Sequence, residues 1–293
     1  MTLLPPPVEA VPIGRPQLPN VPRLAKRNPL VFVGGGLLAL FMVLALAAPL
    51  YAGHPLSMDP FKRLQAPSAE MWFGSDNLGR DVFARTVFGA QISLMVGLLS
   101  AACAAMSGLL IGIVAGYNRG FDNVIMRIMD GLMSIPTILL AIAMISLTGP
   151  GIGILIVAIA IPETPAVARL VRSVVLSVRE RPYVEAAICG GGRLPKVLWR
   201  HVLPSTIPGL MVQSANVCAS AILTEAGLSF LGVGVPPDIP SWGNMIASSR
   251  LYLAIAPLTI FAPGICLAVT VLAVNLLGDG LRDLFDPRAK QRR

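Results

Sequence analysis

Few side chains in this sequence have the type and spacing that catalysis requires. Serine hydrolysis within a membrane needs a Gly-x-Ser-x-Gly turn or a Ser–His pair. Ser229 lies between Gly227 and Gly232, which misses the first spacing by one residue. His201 lies near the other end of the same apolar stretch, roughly 30–40 Å away at 1.5 Å per helical residue. We therefore predict no catalytic residue, and a membrane-embedded enzyme is kept only as an alternative.

The sequence also contains no motif for metal binding, redox chemistry or nucleotide binding. The four cysteines stand alone without a C-x-x-C pair, and three of them lie in apolar stretches, so we interpret the cysteines as buried structural thiols. The two histidines, His54 and His201, are also isolated, so no metal site is predicted. The sequence has no Gly-x4-Gly-Lys-[Ser/Thr] loop, so we expect no cofactor on this chain and any ATP and Mg²⁺ on partner subunits.

Three carboxylates interrupt the apolar stretches: Asp130, Glu163 and Glu225. Each is a functional hypothesis, because a charged group at the centre of a bilayer costs about 2.5–3.5 kcal/mol or more. Asp130 and Glu163 lie close to predicted interfaces, where pairing with an arginine is a sufficient explanation. Glu225 lies deeper, in the outer half, and with Ser229 it is our candidate for lining a solute pathway.

The elements that carry these groups must lie in lipid. The chain is 55% hydrophobic and 13% charged, whereas a soluble domain has roughly 25% charged residues. A helix needs about 20 apolar residues to cross a bilayer. Six stretches meet this need, at about 30–51, 92–116, 124–147, 152–176, 203–228 and 257–277. The sequence therefore predicts an all-α polytopic membrane protein with six transmembrane helices.

The net charge of +8 does not indicate nucleic acid, because the basic residues lie between apolar stretches and form no patch with aromatic or polar readers. Of the 23 Lys and Arg residues, 18 fall on one predicted face of the membrane and five on the other. The positive-inside rule then places both termini in the cytoplasm. The first helix has no small-residue cleavage site at its end, so we expect it to be retained.

The predicted organisation has five parts. These are a Pro-rich cytoplasmic tail at 1–29, a first transmembrane helix at 30–51, an outer loop at 52–87, a permease core of five transmembrane helices at 88–281 and a cytoplasmic tail at 282–293. The core contains a cytoplasmic loop at 179–200 that has helix signals but no apolar stretch of membrane length. Pro182 suits a first helical position, and three glycines at 190–192 end the helix.

This cytoplasmic loop carries a motif with a specific spacing. Glu185-Ala186-Ala187, Gly191 and Leu203-Pro204 resemble the EAA-x3-G-x9-I-x-L-P loop of ABC-importer permeases, with His201 where the pattern has Ile. In that family the loop forms a coupling helix that sits in a cleft of the ATPase subunit. The resemblance implies that ATPase coupling rests on Tyr183, Glu185, Ala186, Ala187, Gly191, Leu203 and Pro204. The alternative is a helix that merely lies on the membrane surface.

Three further segments narrow the resemblance to permeases of dipeptide, oligopeptide and nickel importers. They are FGSDNLGRDVFAR (73–85), EAGLSFLGVGVPPDIPSWG (225–243) and NLLGDGLRDLFDPR (275–288). Such permeases typically have a His a few residues before the first segment, where this chain has Met71-Trp72-Phe73. Residues 1–29 resemble nothing in the family. Among dipeptide, oligopeptide, glutathione, opine and nickel the cargo stays open.

The resemblance implies a bacterial inner-membrane permease that forms half of a translocation pathway for peptides or a related small solute. Its implied partners are a homologous second permease, two ATPase subunits and an outer solute-binding protein. A stand-alone secondary transporter is a further alternative, but it would usually show inverted repeats and ion-binding groups at the midplane.

Two local features of the outer loops each have a structural and a functional interpretation. Asp81 and Arg85 are spaced as an i,i+4 acid-to-base pair that stabilises a helix, although a role in substrate entry is also open. Trp242 lies in a Pro-rich loop, where it is either an interfacial anchor or part of a short outer element beneath a docked binding protein.

Overall fold

The computed structural model describes residues 29–285, and the regular structure in this range is helical. The long helices of the first half are α1 (Pro29–Tyr51), α2 (Val82–Tyr117), α3 (Arg119–Met133), α4 (Thr137–Thr148) and α5 (Ile152–Arg179). They are followed by α6 (Pro182–Cys189), α7 (Leu194–Val197), a π-turn (Leu198–Val202), α8 (Leu203–Phe230), α9 (Trp242–Ser249) and α10 (Leu258–Phe285). Short 3₁₀ turns occupy Pro60–Lys62 and Arg250–Tyr252.

Five of these helical segments are long and apolar enough to cross a membrane. They are α1, α2, α5, the continuous segment Leu194–Phe230, and α10. A sixth crossing is formed if α3 and α4 are taken as one span, although the two are bent by 90°. The prediction of an all-α polytopic membrane protein is confirmed.

The bend between α3 and α4 lies at Pro136, inside the third apolar stretch. Proline has no N–H to donate, and it disfavours helical geometry in the residue before it, here Ile135. The N–H of Ser134 closes α3 by donating to the carbonyls of Asp130 and Gly131, both at 3.2 Å. The third stretch is therefore two helices at a right angle and not one kinked rod.

The centre of the bundle is the contact between α2 and α5, the most extensive helix pair in the described chain. Glycines recur every four residues along one face of α2 and lie against a valine face of α5. The glycines are Gly108, Gly112 and Gly116, and the valines are Val167, Val171 and Val175. A methyl group on any of these glycines would come within 2.5–2.8 Å of α5. Small residues at this spacing allow two helix backbones to approach closely in a membrane.

The boundaries of the outer loop differ from the predicted ones by a few residues. α2 begins at Val82, so the last six residues of the predicted loop at 52–87 are already helical. The boundary of the C-terminal tail also differs, because α10 continues to Phe285, beyond the predicted start of the tail at 282. The predicted N-terminal tail, apart from Pro29, lies outside the described residues.

Trp242 is buried at the end of the bundle opposite the loop 179–200, and the interpretation as an interfacial anchor is wrong. The side chain is 0% exposed. Its Nε1–H donates to the Thr86 carbonyl at 2.9 Å, and its ring meets Phe41 edge-on at 6.4 Å between centroids. Buried indole N–H groups need such a partner. Trp242 therefore joins α9 to α1 and α2 inside the subunit.

Candidate functional site

The predicted coupling loop folds as a short helix at one end of the bundle. α6 begins with Pro182, which suits a first helical position because its missing N–H would have no helical partner. Val184 is 1% exposed and belongs to the same apolar cluster as Val178, Val197 and Val202. One buried valine thus anchors α6 to the helices on either side of it.

The C-terminal end of α6 is a Schellman motif built from its glycines. The Gly191 N–H donates to the Ile188 carbonyl and the Gly192 N–H to the Ala187 carbonyl, both at 3.0 Å. This pattern requires a left-handed residue, and Gly191 supplies it with φ at +80°. A methyl group on Gly191 would meet no atom within 4 Å. A side chain at 191 would therefore be disfavoured by backbone conformation and not by crowding.

The remaining coupling candidates on α6 present an open surface. Glu185 and Ala186 are exposed, and Ala187 is half-buried. Tyr183 is 45% exposed and Ile188 is 40% exposed. Within residues 29–285, no basic group lies within salt-bridge distance of the Glu185 carboxylate. The structure brings a carboxylate, a small residue and two apolar side chains together on a helix that buries little of itself.

The other two coupling candidates, Leu203 and Pro204, begin α8. Leu203 is half-buried and Pro204 is exposed. The π-turn before them joins α7 to α8, so Leu194–Phe230 forms one helical segment of 37 residues. His201 lies in this π-turn with its ring 6.1 Å from that of Tyr183. The C-terminal part of the loop is therefore continuous with a membrane-spanning helix.

The two pathway candidates lie in a buried hydrogen-bond network near the other end of α8. Glu225 is 0% exposed and Ser229 is 1% exposed. Glu225 accepts hydrogen bonds from Ser93 Oγ at 3.0 Å and from Ser229 Oγ at 2.8 Å. Ser229 Oγ in turn accepts from the Val235 N–H at 3.1 Å. The described contacts of both residues are to the subunit itself, and their role in the pathway stays a prediction.

The two other intramembrane carboxylates differ in their partners. Asp130 pairs with Arg169, as predicted for a group near the interface. Glu163 instead accepts a hydrogen bond from Ser220 Oγ at 2.7 Å, so pairing with an arginine is not found there. A second acid–arginine pair was not predicted: both Asp122 carboxylate oxygens accept hydrogen bonds from Arg172. This pair joins α3 to α5, and the 50 residues between its partners gave no local signal.

In the outer loop, the predicted i,i+4 pair of Asp81 and Arg85 is wrong. Asp81 is the N-cap of α2, and its carboxylate accepts from the Phe83 N–H at 2.8 Å. Partial burial raises the pKa of the Asp81 carboxyl. Hydrogen bonds from backbone N–H groups lower this pKa and partly offset the effect of burial. The acid that faces Arg85 is Asp76, which also forms the i,i+4 pair of this segment with Arg80 at 2.7 Å.

The cysteines divide between buried and exposed positions. Cys218 is buried and Cys266 is half-buried, whereas Cys103 and Cys189 are exposed. The interpretation of all four as buried thiols is therefore wrong for Cys103 and Cys189. Cys103 lies on α2 in an apolar stretch, where an exposed face in the isolated subunit is a face toward lipid or a partner.

These features define a class of protein: a polytopic helical membrane protein that holds a short, exposed helix on a loop at one end of its bundle. The sequence model of the family described as "Binding-protein-dependent transport system inner membrane component" matches residues 108–291. This match covers more than half of the chain. The chain belongs to this family, the permeases of ABC importers.

Individual relatives give the same result. The "Probable peptide ABC transporter permease protein y4tQ" of Sinorhizobium fredii is 81% identical over 279 residues, which cover 95% of this chain and 96% of the relative. The dipeptide transport system permease protein DppC of Alkalihalophilus pseudofirmus is 41% identical over 90% of this chain and 88% of its own length. The glutathione transport system permease protein GsiD of Pectobacterium atrosepticum is 41% identical over 86% of each chain.

A solved structure shares the fold. A chain in the inward-facing structure of the MetNI methionine ABC transporter superposes with a TM-score of 0.56 and 20% identity. The match covers 69% of this chain and 97% of that chain. At this sequence identity the likeness supports the helical architecture, and it says nothing about the cargo.

Proposed function

We propose that this chain is one of two permease subunits that together form the translocation pathway of an ATP-driven importer for peptides. The protein lies in the bacterial inner membrane, with both termini and α6 in the cytoplasm, since 18 of its 23 basic residues fall on that face. Peptides are favoured over the other cargoes because the relative at 81% identity is named as a probable peptide permease. The chain itself binds no cofactor in this proposal, and ATP and Mg²⁺ belong to the partner subunits.

The observation that carries the proposal is the exposed surface of α6. Isolated helices of eight residues are unstable in water, yet this one leaves Tyr183, Glu185 and Ile188 exposed and buries only Val184. Such a surface suits a cleft on a partner. Closure of a pair of ATPase subunits would push α6, and the continuous segment Leu194–Phe230 would carry that movement into the membrane. The bundle would then alternate between inward-facing and outward-facing states, while an outer binding protein selects the cargo.

Charge reversal on α6 tests this docking. Glu185→Lys places a cation where the proposal requires a carboxylate, so attraction to the ATPase cleft becomes repulsion. Because Glu185 is exposed and has no described ion pair, folding and insertion should survive. The expected result is a normal amount of permease in the membrane, weaker co-purification of the ATPase subunits and loss of peptide uptake. Asp283→Lys is the control, because Asp283 is also exposed and has no described ion pair but lies on α10, outside the loop.

A second pair of variants tests the shape of the loop. Gly191→Val forces a β-branched residue to φ near +80°, which costs about 1–2 kcal/mol or more and should displace the end of α6. Gly191→Asn is the matched control, because asparagine tolerates this conformation. We expect valine, but not asparagine, to reduce ATPase retention and uptake. Full transport and normal ATPase retention in both Glu185→Lys and Gly191→Val would remove the coupling assignment and favour a helix that only lies on the membrane.

A further inference from the structure

A cleft of about 550 Å³ opens at the end of the bundle opposite α6. It lies between the loop that precedes α2, the C-terminal end of α8, and α9. The C-terminal end of α8 is roughly 40 Å from its start at 1.5 Å per residue, so the cleft is remote from the coupling loop. Its volume falls within the roughly 300–1,000 Å³ typical of small-molecule sites. Arg80, Arg85 and the pathway candidate Ser229 are among the residues that line it.

The buried charges beside this cleft do not balance. Asp76, Arg80 and Arg85 are 4%, 5% and 2% exposed. Asp76 is fully engaged: Oδ2 accepts from Arg80 Nε at 2.7 Å, and Oδ1 accepts from the N–H groups of Leu78 and Arg80 at 2.8 and 2.9 Å. Arg85 Nε is 3.7 Å from Asp76 Oδ2, which is too far for a hydrogen bond. One carboxylate therefore faces two buried guanidinium groups.

Arg85 also has an unused donor. Among the described residues 29–285, no hydrogen-bond partner is found for its Nη1. A buried, charged donor without a partner is strongly unfavourable, and proteins normally supply an anion to such a group. The rim of the cleft adds one exposed acid, Asp238, and one exposed base, Arg250, which offset each other. The residues that line the cleft, taken together with Asp76, therefore carry one more positive than negative charge.

We propose that this cleft binds the carboxylate of a small organic solute, with Arg85 Nη1 donating to a carboxylate oxygen. A planar guanidinium suits a carboxylate in geometry as well as charge. Asn77 lines the same cleft, and its Oδ1 also has no described partner, so it can accept an N–H of the same solute. In a peptide importer the ligand is the C-terminal carboxylate of the peptide, a step that rests on the proposed function. The cleft is then a cargo site on the permease, separate from the binding protein.

Binding of two probes to the assembled transporter without its binding protein tests the proposal. The probes are alanyl-alanine and alanyl-alaninamide, which differ in whether the terminal carboxylate is present, and isothermal titration calorimetry measures both. We expect the amide to bind at least tenfold more weakly. Arg85→Gln should lower the affinity for alanyl-alanine at least tenfold and remove the preference. Arg127→Gln, which removes one exposed charge from the other end of the bundle, should change neither value.

Equal binding of the two probes by the wild-type transporter, or binding of neither, overturns the proposal. This comparison needs no variant, so it decides the matter even where Arg85→Gln fails to fold. If neither probe binds but Arg85→Gln weakens retention of the binding protein, the missing carboxylate belongs to that protein and the small-solute site is wrong. Failure of the proposed function is read separately: a transporter that binds alanyl-alanine more tightly than alanyl-alaninamide but takes up no peptide keeps this site and loses the peptide assignment.

Discussion

Replacing Gly112 by alanine should separate the two helices at the centre of the bundle. The new methyl group would lie 2.7 Å from the Ala168 carbonyl oxygen and 2.7 Å from Val171 Cβ, whereas ordinary contacts of this kind measure 3.4–4 Å. The nearest atom belongs to backbone, so a rotamer change cannot relieve the clash. α2 and α5 must therefore move apart by roughly 1 Å, and overpacking of this kind costs about 1–3 kcal/mol.

Alanine also has a higher helix propensity than glycine, worth about 1 kcal/mol, and this gain must be subtracted. Gly264→Ala in α10 supplies the control, because a methyl group there meets nothing within 4 Å and the propensity gain is the same. The difference between the two variants isolates the overpacking. We expect Gly112→Ala to have a free energy of unfolding about 1–3 kcal/mol below that of Gly264→Ala.

The assay is SDS-induced unfolding of the purified full chain in mixed micelles, followed by circular dichroism. Gly112→Val should extend the series, because its added carbons meet the same backbone. Equal stability of Gly112→Ala and Gly264→Ala would refute the argument, since it would mean that the close approach of α2 and α5 does not depend on the glycine face.

Two further predictions concern the membrane topology and the packing of α9. In a cysteine-free background, a cysteine introduced at Arg193 should react with an impermeant maleimide only after the cells are opened. Labelling of this cysteine from outside intact cells would show that the predicted topology is inverted. Trp242→Phe removes the hydrogen bond to the Thr86 carbonyl but keeps an aromatic ring, so the free energy of unfolding should fall by about 0.5–1.5 kcal/mol. Trp242→Ala should lower it by about 3–5 kcal/mol. No change in either variant would contradict the burial of Trp242.

Apolar length and local signals were enough to predict most of the long helices of this fold, but not α9 or the division of the third stretch into two helices. The apolar stretches at 152–176 and 203–228 correspond to α5 and α8 because a bilayer demands continuous hydrophobicity. The end of α6 was readable because only glycine readily adopts the conformation seen at Gly191. Pro136 lies inside the third stretch and can interrupt a helix, but the 90° angle depends on what α4 packs against.

Contacts between distant segments could not be read in this way. Asp122 and Arg172 are 50 residues apart, and no local pattern pairs them. Trp242 resembled an interfacial anchor because its neighbours in sequence are polar and Pro-rich, whereas its neighbours in space are Phe41 and Thr86. Arg85 stood four residues after Asp81, but that acid caps α2, and the Asp76 carboxylate turned toward the arginines instead. Tertiary packing decided the partners of Asp122 and Trp242, and the cap of α2 decided that of Asp81.

We infer that this chain conducts peptide only as a permease driven by separate ATPase subunits. Reconstitution into proteoliposomes tests it most directly, with ATP hydrolysis and uptake of labelled dipeptide measured for the chain alone and for the chain with the second permease, the ATPase subunits and the binding protein. We predict no ATP hydrolysis and no uptake by the chain alone, and ATP-dependent uptake by the full assembly. ATP turnover or concentrative uptake by the isolated chain above that of a mock purification would contradict the account.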